Sequence, residues 1–306
     1  MTESARSPFA FAAMICGVAA IGFSAIFVTL ADAPGTVTSF YRMGIGSAVL
    51  IIPFLYRWRV RHVSLPLRGV MMAILGGLCF GTDMALWTTG VMMSGPTTPT
   101  LLANTAPLWV GLGTWILFGE KQNSGFWIGL ILALAGSSAV LGQDFMKSAH
   151  IGTGALLGLG AAVFYGAFYL FTQEGRRQID TLSYLFLFTF SAALLLLVLN
   201  LMMKRPLLGY PPVSWLNFLA CGLVVQVLGW WMVNYAQGHL PASLVSPTLL
   251  GQPLITGFLA AFLFQERLTW MHLFGGAGVL AGIFIIHHCH RKAGKAVSER
   301  KGEMNS

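Results

Sequence analysis

Asp83 stands in the stretch LCFGTDMALWTTG, an acid inside an otherwise apolar run of a 306-residue chain. Read as a helix, that run places Asp83 roughly nine residues, or about 14 Å, from its outer end. A carboxylate at that depth in a bilayer costs on the order of 3 kcal/mol, so it must face a cavity or a partner. On a helical period Gly76, Asp83, Trp87 and Gly90 share one face. The chemistry this suggests is a site for a substrate ammonium group or a proton, beside an aromatic wall. The plain alternative is a structural pair with Arg42, or a protonated carboxyl held by hydrogen bonds. Arg42, in SFYRMGIG, lies about six residues into the preceding run, some 9 Å deep. It suits a substrate carboxylate, a bond to Asp83, or an outward reach to the headgroups.

Further polar and aromatic residues sit at membrane depth. Gln226, Trp230 and Asn234 recur at a spacing of four, Tyr165 and Tyr169 do the same, Asn104 follows Thr100, and Gln252 precedes Pro253. A cavity walled by such groups suits an amphipathic solute. Each alone is equally well explained by interhelical hydrogen bonding or an interfacial belt. Together they point to substrate binding in a central cavity. Pro107 and Pro253 each remove a helical hydrogen bond and are expected to bend their helices as hinges.

The elements that must hold these residues are membrane helices. Hydrophobic residues make up 56% of the chain and charged residues 9%, against roughly 25% charged in a soluble domain. Ten apolar runs can be drawn: 9–30, 36–56, 68–92, 97–118, 125–143, 151–172, 181–203, 213–235, 241–264 and 269–289. Each is near the roughly 20 residues that cross a bilayer. The first is too long for a signal peptide's apolar core, although Ala31-Asp32-Ala33 imitates a cleavage site. The net charge of +8 reads as the positive-inside bias of a membrane protein and not as a nucleic-acid surface. With the N-terminus inside, the inner segments hold Arg6, Arg57, Arg59, Arg61, Arg68, Lys121, Arg176, Arg177, Arg291, Lys292, Lys295, Arg300 and Lys301. The outer segments hold Lys147, Lys204, Arg205 and Arg267. Both termini are therefore expected in the cytoplasm.

The chain repeats itself. TLLANTAPLWVGLGTWILFGEK, from Thr100, returns 146 residues later as SPTLLGQPLITGFLAAFLFQER, with Pro107 on Pro253, Gly111 on Gly257 and Glu120 on Glu266. From 107 to 136 ten of thirty positions are identical without a gap. The duplicated unit is five helices long. Five is odd, so the second copy must enter the membrane inverted, as in secondary transporters. The expected fold is all-α and integral to the membrane, ten helices in two inverted repeats. The repeats span 9–143 and 151–289, and residues 290–306 form a disordered cytoplasmic tail. Glu120-Lys121 and Glu266-Arg267 read as helix-end salt bridges.

Other chemistry finds little support. No GxxxxGK[ST], HExxH or GxSxG occurs, and no paired carboxylates lie in the membrane, which argues against an enzyme and calls for no cofactor. His287-His288-Cys289-His290 is metal-like in composition, but neighbours on a helix point apart, so it reads as a helix-end flank and no metal site is assigned.

The two segments ending FGEK and FQER, with Asp83-Met84-Ala85-Leu86-Trp87, Leu101-Leu102-Ala103-Asn104 and Ala106-Pro107, resemble the drug/metabolite transporter superfamily, specifically its EamA-type proteins. The resemblance covers roughly residues 10 to 290. It implies an inner-membrane secondary transporter, often an exporter of amino acids, amines, nucleosides or drug-like metabolites, with helices 5 and 10 peripheral and available for a homodimer. One departure is that the second repeat has no acid matching Asp83. Two readings follow. The first is alternating access by a small-molecule transporter around a cavity lined by Asp83, Trp87, Asn104, Trp230, Asn234 and Gln252. The second is a non-transporting membrane chaperone or assembly partner built on the same bundle.

Overall fold

The computed structural model describes residues 8–95, 97–141, 152–263 and 270–304. Among the described residues ten apolar helical segments form the fold, and nine are long and apolar enough to cross a membrane, with Ser124–Val140 the shorter tenth. They are α1 (Pro8–Gly22 and Ser24–Ala31), α2 (Gly35–Arg59), α3 (Leu67–Ser94), α4 (Thr97–Ala103 and Ala106–Phe118) and α5 (Ser124–Leu141). The second set is α6 (Thr153–Arg176), α7 (Thr181–Met202), α8 (Pro212–Ala220 through Gln237), α9 (Ala242–Thr248 and Gln252–Leu263) and α10 (Trp270–Met304).

The sequence ends these helices locally. Gly119 closes α4 in the left-handed conformation at φ 69°, where a side chain would be strained. The Asp180 carboxylate caps α7, accepting from the backbone N–H groups of Leu182 at 3.0 Å and Ser183 at 3.3 Å.

The second repeat is inverted relative to the first, and the α5–α10 pair shows it directly. Gly129 and Gly282 oppose each other, as do Gly136 and Gly275. The residue numbers rise on one helix as they fall on the other, so the helices run antiparallel. These glycines are also exchanged by the 146-residue repeat, so one contact maps onto the other about a two-fold axis. A Cβ on Gly129 would meet the Gly282 carbonyl oxygen at 2.6 Å, and one on Gly136 the Gly275 carbonyl oxygen at 2.5 Å. Such close approach holds helices together where no hydrophobic force acts between them. The other contacts follow the same symmetry. α3 lies along α6 as α8 lies along α1, α4 packs on α6 as α9 packs on α1, and α2 and α7 cross the axis antiparallel. Thr36 donates to Asn200 Oδ1 at one end of that last pair, and Arg57 meets Asp180 at the other.

Several expected elements differ. α1 is broken at Phe23. α4 and α9 are also interrupted, α4 by Asn104-Thr105 and α9 by a 3₁₀ turn at Leu249–Gly251. Pro107 and Pro253 are therefore not mid-helix kinks. Each is the second residue of a new helical piece, where the missing N–H costs nothing. α8 is not regular, since Cys221–Gly229 is π-helical, a rare conformation that collects at functional sites. The expected disordered tail instead continues α10 as helix to Met304, consistent with its Ala, Lys, Arg and Glu content. Glu120 pairs with Arg177 at 3.5 Å, while Lys121 lies over the Trp115 ring, so the expected Glu120–Lys121 bridge is not formed. Glu266 and Arg267 lie outside the described residues.

Candidate functional site

Where the repeats meet, the packing is aromatic and the polar groups are sealed in. Asp83 is 2% exposed on α3, and its Oδ2 has no hydrogen-bond partner. Arg42, 6% exposed, reaches in from α2. Its Nε donates to Gln226 Oε1 at 3.2 Å, its Nη1 to Ser24 Oγ at 3.4 Å, and its guanidinium lies 5.8 Å from the centre of the Phe80 ring. Among the described residues no ion pair joins Arg42 to Asp83. In place of the structural pair weighed as the alternative, Arg42 takes an amide partner, Gln226, from the π-helical turn of α8. Gln226 in turn donates to Thr189 Oγ1 on α7 at 2.9 Å.

Trp230 is the centre of an aromatic box. Its ring lies 5.0 Å from Phe80, 5.2 Å from Phe168 and 6.2 Å from Phe188, with Tyr165 and Tyr169 at 6.4 and 6.5 Å. Four helices supply those rings: α3, α6, α7 and α8. The Tyr169 hydroxyl donates to the Tyr165 hydroxyl at 2.9 Å. Gln252, at the α9 break, interacts with Tyr165. Thus Asp83, Arg42, Tyr165, Tyr169, Gln226, Trp230 and Gln252 come together, with Asn234 one turn beyond Trp230.

Two further expected lining residues are hydrogen-bonded to neighbouring segments. Trp87 donates its indole N–H to Thr100 Oγ1 on α4 at 3.0 Å. Asn104, in the α4 break, donates to Ser137 on α5 at 3.1 Å. Both tie α4 to its neighbours.

The sequence reading missed Phe80, Phe168 and Phe188, since phenylalanine in an apolar helix carries no signal of its own. It also missed Gln173 and Gln237, both buried amides on α6 and α8. Their four-residue and three-residue steps from Tyr169 and Asn234 were readable on the helical period. The His287–His290 flank diverges as expected of helix neighbours. His287 bonds Thr248 Oγ1 at 2.8 Å, His288 stacks on Phe284, and Cys289 lies against Gly125.

The described clefts are peripheral. One of about 720 Å³ lies between α9 and α10, lined in part by Pro253, Gly257, Leu273 and Gly276. An apolar one of about 300 Å³ lies between α2 and α7.

An inverted pair of five-helix repeats enclosing buried polar groups defines a membrane transporter class. The chain matches the EamA-like transporter family over residues 7–142 and again over 152–287, and it belongs to that family, within the drug/metabolite transporter superfamily. It is 27% identical over 286 residues to an "Uncharacterized transporter" of Archaeoglobus fulgidus, covering 90% of this chain and 97% of that one. It is 25% identical over 276 residues to "Uncharacterized transporter YoaV" of Bacillus subtilis, covering 85% and 90%. A solved structure 19% identical in sequence superposes with a TM-score of 0.74 over 92% of this chain and 97% of that one, and so shares the fold.

Proposed function

We propose that this transporter exports a small amphipathic metabolite across the inner membrane by alternating access, with both termini in the cytoplasm. The observation that carries the reading is Asp83, a carboxylate sealed between the repeats with an unpartnered oxygen, beside an arginine that is bonded elsewhere. An acid and a base held apart in an aromatic box can receive a solute carrying polar or charged groups on an apolar body. The breaks in α4 and α9 occur at matched places in the two repeats, and they supply the hinges about which one repeat moves against the other. The glycine faces of α5 and α10 are occupied by each other, which leaves a homodimer only their outward apolar faces.

The test is solute movement across proteoliposomes, screened over amines, amino acids and nucleosides. Asp83→Asn should lower transport at least tenfold while leaving the protein folded. Unchanged transport removes Asp83 from the mechanism. If no solute moves, and cysteines at 87 and 234 stay sealed from both sides, the bundle is a non-transporting partner protein instead.

A further inference from the structure

Below the aromatic box, α6 and α8 face each other along a seam that runs to the end of the molecule bearing Arg57, Arg68 and Arg177. On α6 the residues are Tyr169, Gln173 and Arg176, and on α8 they are Trp230, Asn234 and Gln237. The seam is shut. Trp230, Asn234, Gln237 and Gln173 are 1%, 0%, 3% and 4% exposed. It is also left unsatisfied. Gln237 donates from Nε2 to the Tyr169 carbonyl at 3.0 Å, yet its Oε1 has no partner. Gln173 Oε1 accepts from the Ala242 backbone at 2.6 Å, yet its Nε2 has none. Asn234 donates to the Trp230 carbonyl at 2.8 Å, and its Oδ1 is unpartnered, as is the Trp230 indole N–H. Four orphaned polar atoms in one helix–helix seam, two donors and two acceptors, are more than packing alone explains, since buried polar groups are nearly always paired. Arg176 crosses the seam's mouth. It donates to the Asn234 carbonyl at 3.1 Å, to Thr181 Oγ1 at 2.6 Å and to the Ile179 carbonyl, tying α6 to α8 and to the start of α7.

We infer that this seam is the inner half of the solute path. It is a ladder of amide and indole groups that takes neutral hydrogen-bonding groups of the solute, or water, when α6 and α8 part, and Arg176 is the bolt that holds it shut. The inference rests on the transport reading for its purpose. The seam's opening, however, can be measured without any substrate.

Gln237→Cys is labelled with a membrane-impermeant thiol reagent in vesicles of each orientation. Arg68→Cys, at the same end and well exposed, marks the side, and the unsubstituted protein supplies the background of native cysteines. With Arg176 present, labelling should be slow and should come only from the side that labels position 68. In the Arg176→Gln background the rate should rise at least fivefold from that side alone. Gln173→Cys repeats the measurement on the other wall, so a folding failure at one position does not end the test. Labelling from the opposite side, or a rate indifferent to Arg176 at both positions, overturns the inference. If transport fails in every assay while Arg176→Gln still opens the seam, the gate stands and the transport reading falls. Protection by a transported solute assigns the ladder to that solute, and labelling unaffected by it leaves water as the occupant.

Discussion

The repeat makes α8 the counterpart of α3, and α6 that of α1, so each half of the path can be compared with the other. In the inner half α8 presents Gln226, Trp230, Asn234 and Gln237. At the matching positions 146 residues earlier α3 presents Phe80, Met84, Thr88 and Val91. α6 carries Tyr165 and Tyr169 four residues apart, and at the matching positions α1 carries Ala19 and Phe23. Hydrogen bonds from Arg176 and Gln237 join α6 to α8, while among the described residues none joins α1 to α3. One architecture thus carries an amide-lined, bolted half and an apolar half. The two-fold symmetry sets where the path runs, and the side chains make its ends unlike.

The largest test of that difference exchanges polarity in each half. Asn234→Leu or Gln237→Leu should lower transport at least tenfold, because each removes a group that the moving solute or its water must meet. Thr88→Val, at the counterpart of Asn234, should leave transport within about twofold. Thr88 Oγ1 bonds the Met84 carbonyl of its own helix at 2.7 Å, a local bond worth about 1 kcal/mol or less. Equal losses from both halves would erase the comparison.

Stability should separate the halves next. Trp230→Ala removes the ring on which the aromatic box closes and should cost about 3 to 5 kcal/mol. Met84→Ala, at its counterpart, is only half-buried and should cost about 1 kcal/mol. Thermal unfolding of both variants in one detergent reads the difference.

A smaller effect, of opposite sign in the two repeats, is expected at one register position. A methyl on Gly111 would meet Phe126 Cε1 at 2.7 Å, whereas one on its counterpart Gly257 meets nothing within 4 Å, because Gly257 lines the α9–α10 cleft. Gly111→Ala should destabilise by about 1 to 2 kcal/mol. Gly257→Ala should stabilise by roughly 0.5 kcal/mol through helix entropy. Matching melting shifts for the two would mean that the cleft closes in solution.

What could be read from the chain follows from what each signal records. Span length and apolarity are properties of a helix by itself, so the ten segments were visible. Inversion followed from the odd number of helices per repeat, and Gly129, Gly136, Gly275 and Gly282 carry it in their spacing. The breaks were half visible, since Pro107 and Pro253 marked the places. Whether a proline kinks a helix or begins a new piece depends on the residues before it and on the neighbours that take up the freed backbone groups. The Arg42–Gln226 bond was hidden for the same reason. A π-helical turn has no sequence signature, and it sets where Gln226 points. Asp83 was found because charge in an apolar run is conspicuous, whereas Phe80, on the same helix and packed against Trp230, was not.

The smallest effect concerns the ion pairs at the inner end. Glu174 meets Arg68 at 2.9 Å and Arg177 at 3.4 Å, and Arg57 meets Asp180 at 3.1 Å. Together with Arg177–Glu120 these pairs fasten the same end that Arg176 bolts, so they compete with the seam as the cause of its closure. Their basic partners are 40–71% exposed, and pairs that wet contribute at most about 1 kcal/mol each. Glu174→Gln should therefore lower the unfolding temperature only slightly, and the difference should vanish near 0.5 M salt, where charges are screened beyond about 4 Å. Labelling of Gln237→Cys should barely change. If Glu174→Gln instead opens the seam as far as Arg176→Gln does, and salt opens it too, closure belongs to the surface pairs. The unlike chemistry of the two halves would then govern what passes along the path and not when the inner end opens.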